Sequence, residues 1–121
     1  MNPGRELDAL VAEKVMGWWW GDDESPAGAG WYEHDDPKRA RDWSPSQNIA
    51  DAWEVVEKLV ADGFSPDLLH MPHQPESSWT CHIDKSLGDT KTYIGIPVAA
   101  CSGKTVPHAI CLAALKAVGA L

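Results

Sequence analysis

The sequence predicts an α+β fold with the element order α-α-β-β-β-α. Three observations carry this. Two segments near the start and middle place apolar residues at helical spacing and carry helix start and stop signals. Between Phe64 and Ala100 the apolar period shortens to two, with polar or proline-rich links between the runs. A last segment, 106–118, returns to helix and is apolar nearly all round. At 121 residues the chain reads as a single domain over 1–121, large enough for a core of three helices and a small sheet.

The first helix is expected to start with Asn2 as N-cap and Pro3 at the first helical position, where a missing N–H costs nothing. Leu7, Leu10, Val11 and Val15 form its apolar stripe, and Gly17 stops it. The second is expected to open on Ser44-Pro45-Ser46-Gln47, read as a capping box with proline at the first position. Ile49, Trp53, Val56 and Leu59 (or Val60) then form the buried face, Asp51, Glu54, Glu57 and Lys58 stay outside, and Gly63 follows as the stop. Three strands come next: Phe64 to Met71, interrupted by Pro66; Trp79 to Ile83, with Trp79, Cys81 and Ile83 on one side; and Thr90 to Val98. In the last helix only His108 and Lys116 are strongly polar. A helix of that kind is usually buried on two sides, here by its own sheet and by a second subunit, so a homo-oligomer is expected.

Composition excludes several classes. Ten basic against eighteen acidic residues give a net charge of −8, which argues against binding duplex DNA, a reaction that needs a basic face. The longest apolar run, Ala109 to Leu115, is far short of a membrane span, and no membrane partner is expected. Three cysteines with no CxxC pair, and no signal-peptide pattern at the start, point to reduced thiols in a cytoplasmic protein. Seven tryptophans accompany a single phenylalanine. Trp53 and Trp79 read as core, and the others either pack a loop against it or form an interface.

In order and wording, GRELDALVAEKVMGW (Gly4 to Trp18), IADAWEVVEKL (Ile49 to Leu59) and PHAICLAALKAV (Pro107 to Val118) resemble the phage ABA sandwich family. The resemblance covers roughly half the chain, mostly its helices. It implies a small phage or prophage protein with helices packed on both sides of a small, mainly antiparallel sheet, working in the host bacterial cytoplasm. It transfers no catalytic residue. The departure is at Trp19 to Trp43, longer and more aromatic than a short polar link, and read as a Trp-rich inserted loop at about 17–45.

Three constellations invite a chemical reading. Ser102-Gly103-Lys104-Thr105 follows a strand and precedes a helix, so its N–H groups and the helix dipole suit an anion. A Walker A motif would need an earlier glycine where Val98 stands, so that reading fails. The plainer alternative is that Thr105 caps the helix, Gly103 turns the chain and Lys104 is solvated. His70, His73, Cys81 and His82 include zinc ligand types, but neighbouring Cys81 and His82 on a strand face opposite ways and the spacing matches no zinc pattern. No metal and no cofactor are assigned.

The third is the segment from Gly17 to Trp43. Trp18, Trp19, Trp20, Trp31, Tyr32 and Trp43 offer aromatic faces; Lys38, Arg39 and Arg41 form a compact basic cluster. Stacking contributes about 1–3 kcal/mol per base and an arginine takes a phosphate bidentately, so these residues, with Ser102, Lys104 and Thr105, are the candidate ligand-binding set. The alternative is a surface lid held down by its tryptophans. No GxSxG, HExxH or Cys-His-Asp grouping is present and the carboxylate pairs have no tuning partner, so a non-enzymatic protein is expected. Two functions stand. One is counter-defence by sequestering a nucleotide-type immune signalling molecule. The other is inhibition of a host defence protein through an acidic, Trp-bearing surface.

Overall fold

The structure is a computed structural model that describes residues 1–33, 36–75, 78–87 and 94–121; among these, the side chains of 36–40, 86, 87 and 94 lie outside the description. Helix α1 (Arg5–Val11) continues as a single π-helical stretch, Ala12–Met16. Strands β1 (Trp19–Gly21), β2 (Gly30–Glu33) and β3 (Asp36–Arg41) follow, then α2 (Ile49–Ala61). Strands β4 (Phe64–His70), β5 (Trp79–Leu87) and β6 (Ile94–Gly103) precede α3 (Val106–Ala117). The class is α+β. The segment expected as an inserted loop is instead an antiparallel three-stranded sheet, β1-β2-β3, and the three expected strands form a second one, β4-β5-β6. Residues 90–93 of the expected third strand lie outside the described residues; the described strand runs on to Gly103.

Helix α3 lies across β5 and β6, α2 packs on α3 and β4, and α1 packs on α3. Cys81 and Ile83 point into this core and Trp79 packs at its edge, while His82 faces out, as the period of two requires. All seven residues from Ala109 to Leu115 are buried within the one chain. The apolar girth of α3 is thus satisfied by β5, β6, α1 and α2, and a second subunit is not needed to cover it. Among the described residues, no helix is long and apolar enough to cross a membrane.

Both expected helix starts are corrected. Helix α1 begins at Arg5 with Gly4 as N-cap and no side-chain cap of its own, so Asn2 and Pro3 precede it. Helix α2 is capped by Asn48, whose side chain accepts the Asp51 N–H. Ser44-Pro45-Ser46-Gln47 is a turn, and it serves the other helix. The Ser46 hydroxyl accepts the Gly4 N–H at 2.9 Å, and the Ser46 N–H donates to Asp8 Oδ1 at 2.8 Å, with Ser46 and Asp8 both buried. A residue 42 positions away thereby satisfies a donor at the start of α1. Ser46→Ala is expected to lower stability by about 1 kcal/mol, read by urea unfolding.

The buried face of α2 also differs. Ala52, Val55 and Leu59 are buried with Val56 beside them, whereas Ile49, Trp53 and Val60 are 55%, 53% and 57% exposed. Small Ala52 brings the helix close to its neighbours, and the larger apolar side chains are left on the flank. Trp53 is therefore not a core residue.

Gly103 shows close packing directly. A Cβ there would lie 2.8 Å from His108 Nδ1 and 3.0 Å from the Ala109 nitrogen, in the first turn of α3. Gly103→Ala is expected to cost roughly 1–3 kcal/mol by overpacking, seen as a lower urea midpoint with an unchanged m-value.

Candidate functional site: a tryptophan-walled cleft

Strands β1 and β2 pair Trp19 with Tyr32 and Trp20 with Trp31, and β2 pairs Trp31 with Arg41 of β3. Alternation then sorts the aromatics. Trp19 stacks on Tyr32 at 4.5 Å and 13° on one face. Trp20 meets Trp31 edge-on at 5.2 Å on the other, the face that also carries Arg41. Trp18 and Trp43 are buried against each other at 4.5 Å. The Trp43 Nε1 is buried without a partner among the described residues.

Arg41 ties this sheet to α2. Its Nη1 donates to Glu33 Oε1 at 3.0 Å and its Nη2 to Glu54 Oε1 at 2.5 Å. Its guanidinium also lies 4.9 Å from the Trp18 ring centroid. The hydrogen bond to Glu54 is the main reason its pKa is raised, against a smaller opposing effect of burial. A cation already held by two carboxylates is a poor phosphate ligand. Arg41 is therefore a structural clasp.

Between this sheet and α1 lies a cleft of about 660 Å³. Trp20, Trp31, Arg41 and Trp43 line it from the expected set. Trp18, Trp19 and Tyr32 pack beside or behind it, and Ser102, Lys104 and Thr105 belong to none of its walls. The Arg39 side chain lies outside the described residues. The opposite wall comes from residues outside the expected set: Arg5, Asp8 and Ala9 of α1 and Glu13 of the π-helical stretch that continues it, with Asp42 and Ser44 beyond β3. Positions 5, 9 and 13 share one helix face, which was the available signal.

In the Ser102-to-Thr105 segment the expected cap is present, while Gly103 is the last residue of β6 rather than a turn. Thr105 accepts the His108 N–H through its hydroxyl at 3.3 Å and caps α3. Ser102 Oγ lies 2.7 Å from Thr80 Oγ1 across the sheet. Lys104 is exposed and takes part in an interaction of its own. Of the histidine set, His70, His73 and His82 are exposed while Cys81 is buried. His70 packs its ring at 4.6 Å on Trp79. Among the described residues, no group of three or more His, Cys, Asp or Glu is placed to hold a metal ion.

The thiols are held as neutral core groups. Burial pushes Cys81 up to about 12, with the neighbouring Cys101 adding to the shift. Burial also pushes Cys111 and, less fully enclosed, Cys101 upward. Because the folded chain keeps these protons longer than the unfolded one, their contribution to stability is whole below the ordinary thiol value of roughly 8.5. It is lost as pH rises from there toward about 12 for Cys81. We expect the Tm to hold through pH 8 and to fall progressively above it, with Cys81→Val flattening the fall. Native protein at pH 8 is expected to leave Cys81 and Cys111 unlabelled by a thiol reagent, checked by peptide mass mapping.

A small α+β protein with a tryptophan-walled cleft beside its first helix is thus defined by its geometry. Its sequence matches the model of the phage ABA sandwich domain over residues 9–115, and the chain belongs to that family of phage proteins. No curated protein and no solved structure matches it.

Proposed function

We propose that this is a non-enzymatic phage accessory protein that acts in counter-defence by binding, and that its acidic, tryptophan-bearing cleft docks on a host defence protein in the bacterial cytoplasm. One observation carries the reading: half-exposed Trp20 shares a lining with Glu13, Asp42 and Asp8, while Arg41 in the same lining is already held by Glu33 and Glu54. A large aromatic anchor within a charged rim is the pattern of an interface hot spot. A net charge of −8 favours encounter with a basic partner.

The test is protection of phage in bacteria carrying a defence system that the wild-type protein suppresses. Trp20→Ala is expected to abolish suppression while leaving the thermal unfolding midpoint within a few degrees. Full suppression by a folded Trp20→Ala protein would end this reading.

A second reading, sequestration of a nucleotide-type immune signalling molecule, draws on the same cleft. Its volume is within the range of small-molecule sites and Trp20 presents a free face for a base. In this reading Arg5 takes the phosphate, since Arg41 is paired and Ser102, Lys104 and Thr105 lie off the cleft. A homo-oligomer would join through the Ile49, Trp53 and Val60 flank of α2. Calorimetric titration with linear and cyclic nucleotides distinguishes the two readings: binding lost in Trp20→Ala favours sequestration, and no heat from any nucleotide favours the protein partner.

A further inference from the structure

We infer that the cleft is a receptor for a cationic side chain, an arginine or lysine presented by a partner protein, seated on Trp20 between Glu13 and Asp42. This rests on the protein-docking reading above and names the chemistry of the partner. The fold contains its own filled example of such a site. Trp18 has the Arg41 guanidinium 4.9 Å from its ring centroid, and Glu33 and Glu54 neutralise that cation. Trp20, in β1, lies two residues further along the chain. It is 52% exposed, touches Trp31 only edge-on, and carries no cation over its ring among the described residues. Carboxylates are already in place: Glu13 and Asp42 are exposed in the same lining, with Asp8 buried behind them.

The charge balance selects the sign of the occupant. Among the described residues, the lining holds Asp8, Glu13 and Asp42 against Arg5 and Arg41, and Arg41 is held by two further carboxylates outside it. Arg5 alone does not neutralise that excess. An entering anion would meet uncompensated carboxylates. An entering cation gains the indole face and the carboxylates together.

The experiment uses the full chain labelled with ¹⁵N, its indole N–H signals assigned by single Trp variants, and a hexa-arginine peptide as probe. The expected result is a saturable shift of the Trp20 indole signal. Affinity should fall about tenfold in Glu13→Gln/Asp42→Asn, consistent with two exposed ionic contacts and a cation–π contact. It should stay unchanged in Glu57→Gln, which removes an exposed charge of α2 outside the lining. Equal affinity for wild type and the double variant, with no Trp20 shift, would place the peptide elsewhere on the acidic surface. That overturns this site while leaving the protein-docking reading intact. A Trp20 shift with adenosine monophosphate that survives Glu13→Gln/Asp42→Asn, together with no peptide binding, would overturn both.

Discussion

Tyr32→Ala is expected to lower the unfolding free energy by about 4 kcal/mol, the range for deleting a large buried aromatic side chain. Tyr32 is fully buried and its ring carries Trp19 stacked at 4.5 Å. Its hydroxyl donates to the Gly28 carbonyl at 2.7 Å and accepts the Ala27 N–H at 2.8 Å. The side chain thus pins the β1–β2 link to the sheet it connects. Gly21 is fitted to it, since a Cβ there would come within 2.6 Å of the Tyr32 ring. Truncation opens a cavity and leaves two backbone groups without their partner. Tyr32→Phe isolates the second part and is expected to cost roughly 1–2 kcal/mol. Urea unfolding followed by tryptophan fluorescence measures both. A loss under about 1 kcal/mol for Tyr32→Ala would mean that the first sheet does not depend on this residue for its shape.

Arg41→Ala is expected to cost about 2–3 kcal/mol. The figure lies below the cost of breaking a fully buried pair because Glu33 and Glu54 keep partial solvent contact. Removal leaves those two carboxylates without their cation, uncovers Trp18 and detaches β3 from α2. Arg41→Lys is expected to recover little. A single ammonium cannot reach two carboxylates with a planar fork or lie flat on an indole. The loss is also expected to shrink when both Glu33 and Glu54 are changed to Gln in the Arg41→Ala background, because no uncompensated charge then remains. That cycle distinguishes a clasp from a ligand-binding arginine, whose removal would leave stability unchanged.

The helices were legible because their stripes and stops are local. Leu7, Val11 and Val15 are buried where the period of 3.6 puts them, and Gly17 adopts the left-handed conformation that ends the run. The rotation of α2 was not legible. The reading placed Trp53 and Ile49 inward because they are large and apolar, while the packing surface was set by Ala52, whose small size admits close approach. The first sheet was hidden for a different reason. Strand β1 is three residues long, flanked by glycine and acidic residues, too short for a period of two to stand out. Its signal was the pairing of Trp19-Trp20 with Trp31-Tyr32 across a polar, glycine-bearing link, a cross-strand aromatic ladder rather than a run.

The candidate site was half legible. Residue type singled out Trp20, Trp31, Arg41 and Trp43, which the fold brings to one cleft, but composition cannot say which arginine is already paired. Arg41 finds Glu33 eight residues away and Glu54 thirteen away in sequence, both brought to it by the fold. The wall of Arg5 and Glu13 was not legible because only the fold brings this helix flank opposite Trp20 and Trp31. Ser46 is the same lesson in miniature: the turn read as a cap for α2 satisfies the start of α1.

The most direct test of binding through the Trp20 cleft is native mass spectrometry of the tagged protein purified from bacteria carrying a defence system, compared with Glu13→Gln/Asp42→Asn purified alongside it. A stoichiometric complex with one host protein, present for wild type and lost in the double variant, is the predicted result. A wild-type protein that carries instead a small molecule released on denaturation, equally in the variant, would contradict it.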